Sequence, residues 1–190
     1  MRFRPGVVLL ALVLAVSACR SGSGHSTGAG AGSSRPAPPT VYVSLGGDET
    51  FGATLSGEDR LRAVWPQVLY HRALPEDAVF YNLAQAGGLT ADAMPAVLDL
   101  FDELKPTLAT LWLDSAWLNT ADETQITDLV RHLRRGGATR VLVAGTNDVV
   151  TRVAAAQGAT VVEVAGAPVT PDDHRAVAAA FANGLKDRKR

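Results

Sequence analysis

The chain has 190 residues and a formal net charge of −1, with 18 Lys and Arg against 19 Asp and Glu. That balance leaves no excess of basic charge for nucleic-acid binding, and a single cysteine excludes an internal disulfide. A hydrophobic content of 47% fits an ordinary globular protein, and the length suits one domain with appended segments.

Arg2 and Arg4 precede the apolar run GVVLLALVLAVSA, which is too short to span a bilayer comfortably. The run ends at Val16-Ser17-Ala18-Cys19, which resembles the bacterial lipobox, in which the cysteine is diacylated and becomes the new N-terminus. Residues 1–18 are therefore expected to be a lipoprotein signal peptide. Cys19, the only cysteine, is the expected lipid attachment, which places the protein on the extracytoplasmic face of the cell membrane. Acylation adds roughly 0.8 kcal/mol per buried methylene, so two or three chains hold it firmly. Residues 19–40 are rich in Gly, Ser, Ala and Pro and cannot bury enough apolar surface to fold. They predict a tether, flexible first and stiffer at Arg35-Pro36-Ala37-Pro38-Pro39, with His25 inert within it. The folded domain is expected over 41–185, followed by a basic tail, 186–190, read as a solvated end that anionic headgroups could attract.

Short apolar runs then alternate with amphipathic segments. VYVSL (41–45) predicts a buried strand and 57–74 a helix that absorbs Pro66 by a kink or a late start. AVFYNL (78–83) predicts the second strand, 90–105 a helix capped by Thr90, and TLATLWL (107–113) the third strand. Residues 120–135 predict a helix opened by a Thr120–Glu123 capping box and stopped by Gly136-Gly137. RVLVAG (140–145) predicts the fourth strand, 148–157 a helix ended by Gly158, and TVVEV (160–164) the fifth strand. The last helix, 170–185, has Thr170 as N-cap, Pro171 next and acids in its first turn. Five strands alternating with five helices predict a three-layer α/β/α sandwich, a five-stranded parallel sheet of flavodoxin-like order. Any site then lies beyond the C-terminal strand ends, between strands one and three.

VYVSLGGDETFG (41–52) sits at that place. It resembles the first block of the SGNH (GDSL-type) hydrolases, and WPQVL, FYNLAQAGGLTADAM, TLATLWL, LRRGGATRVLVAG and PDDHRAVAAAF follow in that family's order over nearly all of 41–185. The resemblance implies an ester or acyl hydrolase fold with a serine nucleophile, an Asp-x-x-His pair, and an oxyanion held by a glycine amide and an asparagine. The nucleophile position falls on Asp48, which cannot take the serine's role. The oxyanion glycine falls on Gly87 or Gly88. The asparagine position falls on Ala116, beside Trp117, and the Asp-x-x-His positions fall on Ala165 and Pro168. Four chemical positions are thus altered, which implies a lost activity. Gly145-Thr146-Asn147-Asp148 spells the family's Gly-x-Asn-Asp motif one βα unit too late and reads as a turn before a helix, with a relocated oxyanion donor as the alternative.

His174 aligns with a non-catalytic helix histidine and is expected to serve packing or surface, with a general base, if the preceding loop folds unusually, or a crevice contact as its functional alternatives. His71 and His132 sit late in helices without ligand spacing. Trp65 and Trp112 read as core, and Trp117 as the best candidate for a ligand contact. The resulting expectation is a membrane-anchored, catalytically inactive binding or docking module at the cell envelope. Its partners would be an envelope glycan, an acyl ligand or a protein, and neither a cofactor nor a resident metal is expected. The alternative is an active esterase with a rearranged site in which Asp48, Glu49 and Asp114 cluster at the strand ends for acid–base work or to hold a divalent cation. A receiver domain with Thr146 at strand four lacks the lysine that class needs after strand five.

Overall fold

A computed structural model describes residues 38–186. The signal peptide, Cys19, the tether up to residue 37 and residues 187–190 of the basic tail lie outside the described residues.

Five strands form one sheet: β1 (Val41–Gly46), β2 (Val79–Asn82), β3 (Leu108–Trp112), β4 (Arg140–Gly145) and β5 (Thr160–Glu163). The order is β2-β1-β3-β4-β5 and every neighbouring pair is parallel. The expected five-stranded parallel sheet is therefore present. Its inner strands read as continuous apolar runs because both of their faces are covered: all five residues of β3 are buried. The outer strands, β2 and β5, have only four residues each.

Among the described residues eight helices surround the sheet: α1 (Asp48–Phe51), α2 (Gly57–Ala63), α3 (Trp65–Ala73), α4 (Met94–Leu104), α5 (Ser115–Leu118), α6 (Glu123–Arg135), α7 (Asp148–Ala156) and α8 (Pro171–Lys186). The period-two alternation of the strands feeds two cores. On one face Val43, Leu45, Ala109 and Leu111 meet Phe101 of α4, Leu129 and Leu133 of α6, and Val150 and Val153 of α7. On the other, Tyr42, Leu108, Trp112 and Leu142 meet Trp65 and Leu69 of α3 and Val177 and Phe181 of α8. Trp65 stacks on Phe181 at 4.4 Å between ring centroids, so Trp65 and Trp112 are core as expected.

Three helix expectations need correction. The segment 57–74 is two helices, broken at Val64, whose extended ψ of 136° ends α2 and opens α3. Pro66 then falls in the first turn of α3, where its missing N–H is harmless. Thr90 caps only a turn: its hydroxyl accepts from Ala93 N–H at 3.3 Å, and α4 starts at Met94. Asp122, not Thr120, caps α6, because its reciprocal partner is Gln125: Asp122 Oδ1 accepts from Gln125 N–H at 2.8 Å and Gln125 Oε1 from Asp122 N–H at 2.9 Å. Thr120 donates its hydroxyl to Trp117 O instead. The one-turn helices α1 and α5 have no apolar period to announce them.

Candidate functional site

The chain reverses its direction of travel across the sheet between β1 and β3, and the register sets Gly46 beside Trp112 there. Three segments meet beyond these ends: Gly47 with α1 after β1, the loop through Gly87 and Gly88 after β2, and Leu113-Asp114 with α5 after β3. A parallel sheet leaves its ligand crevice at such a switch point.

Asp48 opens α1 with its carboxylate exposed, and Oδ1 accepts the Gly87 N–H at 2.7 Å. Gly87 adopts φ 83°, the left-handed region, which turns that amide toward Asp48. Gly88, also left-handed at φ 97°, has a different task. A Cβ there would stand 3.3 Å from Asp114 Oδ2, so Gly88 gives room to Asp114. Of the two glycines matched to the oxyanion role, the amide against the nucleophile position is that of Gly87.

Asp114 is only 5% exposed. Its Oδ1 accepts from Trp117 N–H at 2.8 Å, capping α5, and its Oδ2 accepts from Leu89 N–H at 3.3 Å. Gly47 closes over it: a Cβ on Gly47 would lie 1.7 Å from Asp114 Oδ2 and 3.0 Å from Gly88 Cα. One buried carboxylate thus fastens the loops after β2 and β3 beneath the turn after β1. Glu49 stands beside it, half-buried, with Oε2 shielded from solvent and unpartnered. Burial pushes the Glu49 carboxyl above the usual carboxylate range, its own backbone N–H pulls back, and the Asp114 and Asp48 charges push it further up. Asp48, Glu49 and Asp114 therefore do come together. Among the described residues no group of three or more His, Cys, Asp or Glu is arranged to hold a metal ion.

A second polar layer lies under this rim. Thr50 is buried, and its carbonyl accepts from Asn82 Nδ2 at 3.2 Å. Deeper still, Tyr42 donates to Thr110 Oγ1 at 3.0 Å and Thr110 donates to Ser44 Oγ at 3.1 Å, all three fully buried. Burial pushes the Tyr42 phenol well up, so the chain of hydroxyls is a neutral structural network.

The remaining candidates are dispersed. Pro168 is buried in the loop before α8, with its carbonyl 3.4 Å from the Thr54 hydroxyl just after α1, and Ala165 is exposed in the same loop. Ala116 lies in α5. His174 makes no crevice contact: it is fully buried, and its Nδ1 accepts from Trp65 N–H at 3.3 Å, capping α3. Its Nε2 has no partner, and burial lowers its proton affinity against the opposing pull of Asp173. It is a packing histidine. Trp117 is buried but borders a groove. At 9% exposure its ring belongs to the core beside α4 and α6, where it helps line a groove of about 490 Å³ with Met94, Pro95 and Leu98. Asn147 N-caps α7 by accepting from Val150 N–H at 2.9 Å, so the Gly-Thr-Asn-Asp run is a helix start. His71 meets Gln67, and His132 pairs with Asp102 at 3.1 Å, each late in its helix.

Sequence reading missed Leu89, whose amide serves Asp114, and Asn82, which holds Thr50. The paired glycines at 46–47 and 87–88 were the available signal, since two such pairs facing one acid mark a close backbone approach.

No protein-family model matches the chain, and no curated protein matches it by sequence. Solved structures do match its fold. TesA aligns with a TM-score of 0.62 at 17% identity, over 78% of this chain and 99% of that one. The esterase EstA from Pseudoalteromonas sp. aligns with a TM-score of 0.58 at 14% identity, over 78% and 97%. Axe2, an acetylxylan esterase from Geobacillus stearothermophilus, aligns with a TM-score of 0.58 at 12% identity, over 77% and 94%. The described domain has an SGNH hydrolase-like α/β fold.

Proposed function

We propose that this chain is a membrane-anchored lipoprotein whose SGNH hydrolase-like domain does not turn over esters and serves as a binding or docking module at the cell envelope. One observation carries it: the Asp48 carboxylate receives the Gly87 N–H at 2.7 Å. In an acyl-transfer site a glycine amide stabilises the oxyanion that develops on the substrate. Here the protein's own anion already takes that donor, and the residue that supplies it stands at the nucleophile position. The packing role of His174 and the absence of a serine or cysteine from residues 46–52 support the same reading. An extracytoplasmic location rests on the lipobox-like Val16–Cys19 and the tether. Among the described residues no helix is long and apolar enough to cross a membrane. The kinds of ligand in view are an envelope glycan, an acyl chain or a protein.

A second reading is favoured by Glu49, whose raised proton affinity beside two carboxylates is what a general acid needs. It makes the domain an ester or acyl hydrolase with a carboxylate-based site. Hydrolysis of short and medium acyl nitrophenyl esters by residues 20–190 separates the two. The docking reading expects no turnover above buffer in the parent, in Asp48→Ala or in Glu49→Gln. Turnover in the parent that disappears in either variant would overturn it and establish the carboxylate site.

A further inference from the structure

A groove of about 490 Å³ lies between α4 and α6. Trp117 of α5 and Leu129 of α6 form its buried side, and Met94, Pro95 and Leu98 its α4 wall. Met94 and Leu98 stand one turn apart on α4, as do Gln125, Leu129 and His132 on α6, so each helix gives the groove a continuous stripe. The last turns of the two helices are joined where His132 Nε2 meets Asp102 Oδ1 at 3.1 Å. Gly136 keeps that end tight, since a Cβ there would stand 2.6 Å from Asp102 Oδ1 and 3.0 Å from Phe101. At the other end Trp117 is held through its N–H by Asp114, the carboxylate that fastens the crevice loops.

The rim of the groove is acidic. Asp99 and Asp128 line it, and among the described residues neither Lys nor Arg does. Asp128 already pairs with Arg131, and His132 with Asp102. Asp99 is exposed and forms no ion pair among the described residues. α4 carries Asp102 and Glu103 besides, with no Lys or Arg within it, and Lys105 at its end does not line the groove. An apolar floor beside an uncompensated carboxylate suits an apolar occupant that brings a cation and repels an anionic one.

The walls also select the form of that occupant. They are helices, whose backbone groups bond within the helix, so they offer an extended segment no ladder of partners. A helix arrives with its own backbone bonds made and needs only side-chain contacts. We propose that the groove between α4 and α6 is the docking site for an amphipathic helix of a partner protein, which lays an apolar stripe on Met94, Leu98 and Trp117 and sets a Lys or Arg against Asp99. This names the kind of partner for the docking module proposed above and rests on that reading.

All five strands and both cores lie within residues 38–186, so residues 20–190 carry the whole fold without Cys19. The probe is a synthetic peptide of about 18 residues, long enough to hold a helix, with Leu on one face and Lys on the other. Its controls carry Glu in place of Lys, or Ser in place of Leu. Fluorescence anisotropy at physiological salt is expected to show binding of the Leu/Lys peptide and little of either control. Amide chemical shifts are expected to move in α4, α5 and α6 and not in α3 or α8. Asp99→Lys, at an exposed position, is expected to weaken binding roughly five-fold. Glu76→Lys, an equal change of charge outside the groove, is expected to leave it unchanged, and melting curves establish that both variants are folded. Equal binding of the Ser control, shifts centred outside α4–α6, or equal loss in the two variants would each overturn the proposal. So would dodecanoate moving the groove amides where the peptide does not, which would make this an acyl site. Failure of the peptide to bind, with no ester turnover, removes the groove and leaves the docking reading standing, whereas ester turnover strikes that reading itself.

Discussion

Asp114→Ala is expected to destabilise the domain substantially although the residue forms no ion pair among the described residues. Its carboxylate accepts two backbone hydrogen bonds, from Trp117 at 2.8 Å and Leu89 at 3.3 Å, at a site 5% exposed. A hydrogen bond to a charged acceptor contributes about 1.5–3 kcal/mol, and the longer of these belongs at or below the lower end. Against that stand relief of the buried charge and of its repulsion with Glu49. A net loss of about 2–4 kcal/mol follows, including the N-cap of α5. For a domain of this size that lowers the melting temperature by about 5–15 °C. Asp114→Asn keeps one carbonyl oxygen for Trp117 N–H but turns a donor toward Leu89, so it is expected to fall between Ala and the parent. Thermal melts followed by far-UV circular dichroism at pH 7 measure all three. An Ala variant that melts within about 2 °C of the parent, or above it, would refute the idea that this carboxylate fastens the loops.

The other predictions concern the same region and its acid sensitivity. Gly47→Ala would place a Cβ 1.7 Å from Asp114 Oδ2 and is expected to destabilise by about 1–3 kcal/mol, with less than additive loss when combined with Asp114→Ala in denaturant titrations. His174 has a lowered native pKa against 6.5 in the unfolded chain, so the folded state binds fewer protons. Its contribution is full above pH 6.5 and is lost as pH falls from there through the lowered native value. The parent should therefore lose more stability than His174→Asn on acidification through that window, and parallel slopes would contradict this. Glu49 has the opposite sign. Its native pKa is raised above 4.5, so stability is present at low pH and lost as pH rises from 4.5 through the native value. Glu49→Gln is expected to gain over the parent at neutral pH, with the difference vanishing below pH 4.5 in urea titrations.

The strands were legible because burial on both faces leaves continuous apolar runs, as in Leu108–Trp112. Helix starts were not, because two capping residues two positions apart compete, and Asp122 with Gln125 prevailed over Thr120 with Glu123. The place of Asp48 followed from topology alone. The long-range partners did not, since the amides of Gly87 and Leu89 lie 39 and 25 residues from Asp48 and Asp114 and any residue but proline could supply them. An acid at a strand end looks solvated until the glycines that enclose it are seen in three dimensions. His174 had no local signal either, because the amide it caps lies 109 residues away.

The brevity of the outer strands bears on how these domains meet each other. A strand uses alternate residues to pair on a given side, so four-residue β2 and β5 leave only about two residues each to receive a foreign strand. Val79 and Tyr81 of β2 are 40% and 39% exposed, and on a longer edge they would invite a neighbour to add to the sheet. Here such an encounter offers too few backbone bonds to offset the ordering of a second chain. The domain can therefore be packed densely on a surface without polymerising edge to edge.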